Sequence, residues 1–321
     1  MRMRHIALLA VMALAGTAWG AFTIEDNEKA LTVLEDGKPV LVYNYTMVDA
    51  PPKVDKRYRR ACYVHPLYGL DGEVMTQDFP FDHYHHRGLF WAWPKSTMGE
   101  KALDLWTIAG VRQHHEAWVT REAGDDKAEI AITNVWLYDD APETPVVRES
   151  VRYIVHPAGA QSRAIDFTLR FENVSAEGVT IRGATTDNKG YGGFCYRPAA
   201  KRKPMHFTAA GSAIDDDLLR LESPWVDVSF EAVKGGDKQS GVAIFQHPSN
   251  PGYPHPGWIL RHYGFLGCSW PHTEPCVLQP GNAFELRYRL LVHRGTAGEA
   301  GVAEAFGTYT TAQKKPAPVQ E

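Results

Sequence analysis

PVVRESVRYIVHP, residues 145–157, and SRAIDFTLRFENV, residues 162–174, alternate apolar and polar side chains over most of their length. A period of two is typical of antiparallel strands that have one face on a core and the other toward water. The same pattern recurs in further segments of the chain, residues 22–26, 30–36, 38–48, 128–138, 224–233, 240–248 and 284–295. Many strands punctuated by Gly, Pro and Asn predict an all-β fold, a large antiparallel β-sandwich with long functional loops.

The domain organisation follows from length and composition. A chain of 321 residues with 44% hydrophobic side chains can bury a large core, and we expect one β-sandwich domain over residues 21–309. The best candidate for a helix is short and lies near residues 297–309. The polar, proline-containing end, residues 310–321, is expected to be a disordered tail.

Residues 1–20 have the pattern of a secretory signal peptide. A basic start, MRMRH, precedes an apolar segment, IALLAVMALAG, and small residues in AWG predict cleavage between Gly20 and Ala21. The apolar segment is shorter than the roughly 20 residues of a spanning helix, so we expect a secreted or periplasmic protein without a membrane span. The net charge of -4 gives no electrostatic footprint for nucleic acid.

Four cysteines leave the disulfide pattern open: Cys62, Cys195, Cys268 and Cys276. An oxidising compartment permits a bridge, and Cys268 with Cys276 would close a small loop, while four buried thiols are the alternative. The sequence has no CxxC pair, which argues against a thiolate zinc site.

The stretch QDFPFDHYHHRGLFWAW, residues 77–93, combines three histidines with acidic, basic and aromatic side chains. As a strand it would place His83 and His85 on one face and His86 on the other. Imidazole titrates near neutral pH, so His85 or His86 is a candidate general acid or base. Arg87 is a candidate clamp for the substrate.

A metal site is the alternative for the same histidines. His83 and His85 on one face are a common start to a histidine-ligated divalent site, and His115 or His65 would be the third ligand. No carboxylate at a suitable spacing completes the set, so we expect no cofactor unless a divalent metal binds here.

Trp91 and Trp93 follow two residues apart and therefore share one face. Indole rings at a binding site stack on the C–H face of a pyranose, and these two are candidate sugar-binding residues. Packing in the core is the alternative, because tryptophan is highly buried on average.

Two further motifs carry candidate residues. VRQHHEAW, residues 111–118, supplies His115 for binding and Glu116 for proton transfer, although Glu116 would serve equally as a surface acid paired with an arginine. FQHPSNPGYPHPGWILRHYGF, residues 245–265, is stiffened by prolines and supplies His247 and His262 as parts of a binding wall.

TTDNKGYGGFCYRP, residues 185–198, is rich in glycine, which lets the backbone turn tightly and approach a ligand. Asp187 is a candidate for proton transfer, and Tyr191 and Arg197 are candidates for binding. A decorated hairpin turn is the alternative.

These motifs together resemble a bacterial family often labelled the methane oxygenase PmoA family, otherwise treated as a domain of unknown function. The resemblance is carried by residues 65–93, 190–198, 241–254 and 278–293. It implies a secreted β-sandwich protein of bacteria that degrade polysaccharides, and it brings no established mechanism. A methane monooxygenase subunit needs several spanning helices, so that label does not suit this chain. The ending LQPGNAFELRYRLLVH is also similar to sugar mutarotase-like supersandwiches.

Our leading hypothesis is a carbohydrate-active enzyme that uses histidine and carboxylate acid–base chemistry on a glycoside or sugar. The candidate catalytic residues are His85, His86, Glu116 and Asp187. The candidate binding residues are His83, Arg87, Trp91, Trp93, His115, Tyr191, Arg197, His247 and His262. A metal-dependent enzyme with His83, His85 and His115 as ligands and a non-catalytic glycan-binding protein are the alternatives.

Overall fold

The computed structural model describes residues 21–199, 204–233, 235–236 and 238–313. The predicted signal peptide, residues 1–20, and residues 314–321 of the predicted tail lie outside the described residues. No helix in the described part is long and apolar enough to cross a membrane.

Strands dominate the described residues. The first half of the chain contains β1 (Phe22–Asp26), β2 (Ala30–Glu35), β3 (Lys38–Asn44), β4 (Tyr63–Leu67), β5 (Leu89–Ala92), β6 (Thr97–Met98), β7 (Lys101–Ala102), β8 (Val111–Ala123), β9 (Ala128–Tyr138) and β10 (Val147–Val155). The second half contains β11 (Ser162–Asn173), β12 (Val179–Ile181), β13 (Gly193–Tyr196), β14 (Met205–Ala209), β15 (Ser212–Ile214), β16 (Trp225–Glu231), β17 (Gln239–Gln246), β18 (Trp258–Arg261), β19 (Phe265–Cys268), β20 (Cys276–Leu278) and β21 (Ala283–Arg294). The helical elements are α1 (Val302–Gln313) and two 3-10 turns, Lys56–Tyr58 and Thr186–Asn188.

Two large sheets and one small sheet hold these strands. The eight-stranded sheet has the order β1-β2-β3-β4-β5-β13-β19-β18, and the nine-stranded sheet has the order β15-β14-β16-β17-β21-β11-β10-β9-β8. A four-stranded sheet has the order β20-β12-β6-β7. Neighbouring strands pair antiparallel, which confirms the predicted all-β antiparallel sandwich.

The alternation in β10 and β11 is what sets the register of the nine-stranded sheet. Val147 pairs with Asn173 and Val155 pairs with Ile165, and along β11 every second side chain is buried. A shift by one residue would turn the apolar side chains of β11 to the outer face, so the pattern fixes the pairing.

The core lies between the two large sheets and is rich in aromatic rings. Phe194 on β13 stacks on Tyr288 on β21, with ring centroids 4.5 Å apart. Trp91 and Trp93 belong to this core, because each is 1% exposed. The Trp91 indole N–H donates to Glu149 over 3.1 Å, and that of Trp93 donates to the Trp270 carbonyl over 2.7 Å. The prediction that these two tryptophans stack on a sugar is therefore wrong. Both pack in the core, which was the alternative.

The C-terminal helix departs from the expected boundary. It begins at Val302 and continues to Gln313, so residues 310–313 are helical rather than part of a disordered tail. Tyr309 ties the helix to the outer face of the nine-stranded sheet, with its ring 5.9 Å from that of Phe245. The four cysteines are free thiols, so the bridge between Cys268 and Cys276 does not form here.

Candidate functional site

The histidine-rich segment forms two successive turns rather than a strand. The N–H of His83 donates to the Pro80 carbonyl over 3.0 Å, and the N–H of His86 donates to the His83 carbonyl over 2.9 Å. The turns bring three imidazoles together, with ring centroids 4.7 Å apart for His83 and His86, 4.6 Å for His85 and His86, and 5.7 Å for His83 and His85. The expectation that His86 faces away from the other two was wrong, because side chains alternate in a strand but not in a turn.

Four rings stack into one column, which we call the ring column. Its order is Tyr263, His83, His86 and Phe265, with centroids 5.2, 4.7 and 4.9 Å apart and interplanar angles of 10°, 6° and 29°. The outer two rings come from the β18–β19 hairpin, so this hairpin clamps the histidine turns. Gly267 on β19 makes room for the column, since a Cβ there would lie 2.9 Å from the Phe265 ring.

A cavity of about 290 Å³ opens beside the ring column, and we call it the histidine cavity. It is partly enclosed, and its walls come from five parts of the chain that are distant in sequence. The side chains that line it are His83, His85, His86, Trp106, Thr107, Lys189, Tyr191, Leu219, Ile259, Arg261, Tyr263 and Phe265. Its volume lies near the lower end of the roughly 300–1,000 Å³ of small-molecule sites.

His85 and His86 carry buried ring nitrogens that have no hydrogen-bond partner among the described residues. His86 is 2% exposed, and neither of its ring nitrogens has a hydrogen-bond partner among the described residues. The Nε2 atom of His85 also lacks one. Burial, followed by the charge of His83, lowers the pKa of His85 to about 3, and burial lowers the pKa of His86 well below its usual value. Both rings are therefore neutral at physiological pH, each with one N–H donor and one acceptor nitrogen.

Asp82 and Arg197 contact two rings of the ring column, His83 and Tyr263. Arg197 donates two hydrogen bonds to Asp82, over 2.8 and 2.9 Å, and its guanidinium lies 5.1 Å from the centroid of Tyr263. The carboxylate of Asp82 lies 3.2 Å from Nδ1 of His83. Burial alone would raise the pKa of Asp82, but the hydrogen bonds and charge of Arg197 outweigh burial and lower it. Arg197 thus positions His83 and Tyr263, and it does not itself line the cavity.

The glycine-rich loop reaches the same cavity. Tyr191 lines it and packs on Trp106, with centroids 5.0 Å apart. Gly190 has φ +69°, and a Cβ there would lie 1.9 Å from the ring of His272, so only glycine fits. Asp187 stands outside the lining and pairs with Lys189 over 3.2 Å.

Two other candidate residues, Arg87 and Glu116, do not line the histidine cavity. Arg87 is fully buried and ion-paired with Asp78, and its guanidinium stacks over Phe79, so it is a structural cation rather than a substrate clamp. Glu116 on β8 accepts hydrogen bonds from Arg148 over 3.0 and 3.2 Å, which is the surface ion pair held open as its alternative.

His115, also on β8, packs on Tyr45 and Trp118 and does not line the histidine cavity. The proposed metal ligands His83, His85 and His115 therefore do not form one set. Within the described residues no group of three His, Cys, Asp or Glu side chains has the geometry to hold a metal ion. His65, the other suggested third ligand, has its Nδ1 atom 2.9 Å from the Thr76 hydroxyl.

The two histidines of the proline-rich segment also lie outside the histidine cavity. His262 neighbours it but contacts Asp217, with Nδ1 and the carboxylate 3.0 Å apart. His247 contacts the hydroxyl of Ser249 and lines a separate depression on the nine-stranded sheet, beside Tyr309.

Sequence reasoning missed several residues that line the cavity. Lys189 and Arg261 stand inside motifs that we singled out for other residues, and Phe265 closes the second of these motifs. Leu219 comes from a segment with no motif, and the isolated bridge between Leu218 and Leu260 carries it to the edge of β18. The one sequence signal for these lining residues was the crowding of aromatic and basic residues near the histidines.

The fold and the cavity define an antiparallel β-sandwich protein with a partly enclosed, histidine-lined cavity. The chain belongs to a family of unknown function, DUF6807, whose model matches residues 30–307. The family designation agrees with the expected domain of unknown function and not with the methane oxygenase label of the sequence resemblance. No curated protein matches the chain.

Among solved structures, the chain is similar to a heparan sulfate lyase HepC mutant from Pedobacter heparinus, with 9% identity and a TM-score of 0.39. It is also similar to the GH36 α-galactosidase AgaA from Geobacillus stearothermophilus, with 12% identity and a TM-score of 0.38. The matches cover 87% and 85% of this chain but 36% and 40% of those chains, so this chain spans less than half their length.

Proposed function

We propose that this chain is a carbohydrate-active protein whose histidine cavity binds a sugar ring and transfers protons through its imidazoles. The observation that carries the proposal is the pair of unpartnered nitrogens on His86, buried in an aromatic wall. A buried polar atom without a partner lowers the stability of the fold by roughly 1–3 kcal/mol. A ligand that forms hydrogen bonds with these nitrogens would remove this cost. Sugar hydroxyl groups both donate and accept, which matches a neutral imidazole.

The aromatic lining supports a sugar over a flat or wholly apolar ligand. Trp106 and Tyr191 offer ring surface beside the polar nitrogens of His85 and His86, and this mixture suits the C–H faces and hydroxyl edges of a pyranose. The volume of about 290 Å³ suits a single ring rather than a long oligosaccharide.

The arrangement favours proton transfer at a hydroxyl group or its carbon over two-carboxylate hydrolysis. Glycoside hydrolysis by two carboxyl groups needs them about 5–9.5 Å apart around the bond. No carboxylate lines the cavity among the described residues. Asp82 and Glu116 pair with arginines that do not line it, and Asp187 pairs with a lysine of the lining but does not itself line the cavity. We therefore place proton transfer on His85 and His86, in an isomerase or lyase type of reaction.

A binding protein without catalysis is the second candidate, favoured by the low pKa of His85, which makes it a weak base. Calorimetric titration with monosaccharides, followed by product analysis of the same mixtures, tests both. We expect saturable binding of at least one sugar, lost in His86→Ala and retained in His206→Ala, a change at an exposed histidine on β14. Binding with turnover supports the enzyme, binding without turnover supports the second candidate, and no binding by any sugar contradicts the proposal.

We also propose that the protein is secreted or periplasmic and binds no nucleic acid. The signal-peptide pattern in residues 1–20 and the net charge of -4 support these two statements. N-terminal sequencing of protein from an exporting host should start at Ala21, and an intact Met1 in the exported fraction would contradict cleavage.

A further inference from the structure

We propose that the ligand of the histidine cavity is an acidic sugar, a hexose ring that carries a carboxylate or sulfate group. The inference rests on the proposed function and deepens it, since it names the class of sugar for the same cavity. The charged side chains that line the cavity are Lys189 and Arg261, both basic. In the described structure an anionic group entering the cavity meets two cations and no lining carboxylate.

The acids that accompany these two cations are exposed to solvent. Asp187 pairs with Lys189 over 3.2 Å and is 72% exposed, while Asp217 pairs with Arg261 over 3.4 Å and is 42% exposed. Exposed ion pairs of this kind contribute little to stability, because water screens the attraction between the two charges. Both cations can therefore turn to a ligand without leaving a buried carboxylate unpaired.

Two buried guanidinium groups add positive charge behind the walls. Arg60 is 3% exposed, its Nε and Nη1 atoms lack a hydrogen-bond partner, and no described carboxylate forms an ion pair with it. It lies 5.0 Å from the centroid of Phe90, whose ring is 5.8 Å from that of His86. Burial lowers the pKa of Arg60 to about 10, so it stays charged at neutral pH. The charge of Arg197, also 3% exposed, is partly offset by its ion pair with Asp82, while its Nη1 atom has no hydrogen-bond partner among the described residues.

The histidines respond to the same positive potential. After burial and the charge of His83, the charges of Arg60 and Arg197 contribute to the low pKa of His85. A positive potential that disfavours the protonated form of His85 favours an anion beside the same ring. An anionic ligand would in turn raise the pKa of His85 and His86 toward neutrality, where an imidazole transfers protons well.

Calorimetry with matched sugars tests the inference. Glucuronate, galacturonate and glucose 6-sulfate are compared with glucose and galactose at low and high salt. We expect at least one acidic sugar to bind about tenfold more tightly than its neutral partner, with the difference shrinking at high salt. Lys189→Ala and Arg261→Ala should each weaken the acidic sugar about tenfold and leave the neutral sugar unchanged.

The controls are Lys101→Ala and Arg152→Ala, which remove cations paired with Asp140 and Glu129 away from the cavity. Equal affinity for acidic and neutral sugars would overturn the acidic-ligand inference and leave the proposed function standing, whereas no sugar binding overturns both. If thermal unfolding shows that Arg261→Ala does not fold, Lys189→Gln decides. Unchanged acidic-sugar affinity in Lys189→Gln would overturn the inference.

Discussion

His86 combines two properties that rarely occur together in one side chain. Its ring stacks between His83 and Phe265 at 4.7 and 4.9 Å, as a core ring would, and yet neither of its nitrogens has a hydrogen-bond partner in the part of the chain that the structure describes. An apolar ring would satisfy the packing without the polar cost. We therefore regard His86 as a residue held for a ligand at the expense of stability.

His86→Phe separates these two roles. We expect the variant to gain about 1–2 kcal/mol in the free energy of unfolding, because a phenyl ring keeps the stacking and removes two unpaired polar atoms. It should at the same time lose sugar binding. Urea unfolding and calorimetry measure the two effects, and His206→Phe is the control at an exposed position. A less stable variant, or one that still binds sugar, would argue against this role.

Glu149 on β10 holds the two large sheets together. Its carboxylate accepts hydrogen bonds from Gln113 on β8 over 2.7 Å, from Trp91 on β5 over 3.1 Å, from Asn134 on β9 over 3.2 Å and from Trp136 on β9. Since β5 belongs to the eight-stranded sheet and the others to the nine-stranded sheet, one buried group links both layers.

Replacing this carboxylate should be costly. Glu149→Leu removes the acceptor of four buried hydrogen bonds, of which only the Asn134 donor keeps another acceptor, the Tyr43 hydroxyl at 3.1 Å. We expect a loss of about 3–5 kcal/mol in the free energy of unfolding. Glu149→Gln keeps one acceptor oxygen and should lose less. Equilibrium unfolding of both variants measures the difference, and a leucine variant as stable as the parent would refute the link.

The glycine-rich loop between β12 and β13 passes close to the ring of His272 at Gly190. Gly190 faces the His272 ring, and the residues on either side, Lys189 and Tyr191, line the cavity. Gly190→Ala should push this loop away from His272, lowering both stability and sugar affinity. Gly37→Ala is the matched control, because Gly37 has a similar φ of +72° but no atom within 4 Å of its Cβ position.

The Gly37→Ala control measures the free-energy cost of placing alanine in the left-handed backbone conformation. We expect Gly37→Ala to lose about 1–2 kcal/mol from the left-handed conformation alone and to leave sugar affinity unchanged. Gly190→Ala should lose more than that. Thermal unfolding and calorimetry compare the two, and equal losses with equal affinity would show that the contact with His272 has no role.

At the same scale, the sequence predicts the strands better than the turns. β9 coincides with the expected segment 128–138, and β10 and β11 lie within theirs, because burial of one sheet face imposes the alternation directly. The segment 80–87, whose histidines we placed by strand geometry, forms turns instead, since the N–H groups of His83 and His86 bond to carbonyls within the segment. Such local bonds leave no periodic signal in the sequence.

At the scale of the whole molecule, we expect buried histidines to give the stability a maximum near neutral pH. The pKa of His85 and His86 is lowered, so their contribution to stability is complete above the ordinary value of about 6.5 and is lost as the pH falls below it, for His85 down to about 3. His293 behaves oppositely. Burial lowers its pKa, but the hydrogen bond to Asp227, 2.7 Å long, outweighs burial and raises it. Its contribution is complete below about 6.5 and is lost as the pH rises through the raised pKa.

Urea unfolding between pH 4 and pH 9 checks both limbs. We expect His86→Phe to flatten the acid limb, because the unfolded state then takes up one proton fewer. His293→Gln should flatten the alkaline limb and lower stability most at acid pH. Unchanged slopes in both variants would show that other groups govern the pH dependence.

The site as a whole was predicted only in part. His83, His85, His86 and Tyr191 meet in one cavity, as the clustering of histidines and glycines suggested. The remaining candidate residues do not line it, because spacing along a strand does not tell a core face from a ligand-binding face. The two tryptophans of the β5 region share a face as expected, but that face is the core.

NMR titration of the imidazole nitrogens tests the central claim most directly, since it reports on each histidine separately. Hexuronate or neutral hexose is added stepwise to the intact protein. The account predicts saturable shifts of the His83, His85 and His86 signals, with the signals of His206 and His156 unchanged. Binding of a sugar that shifts other histidines and leaves these three unchanged would contradict it.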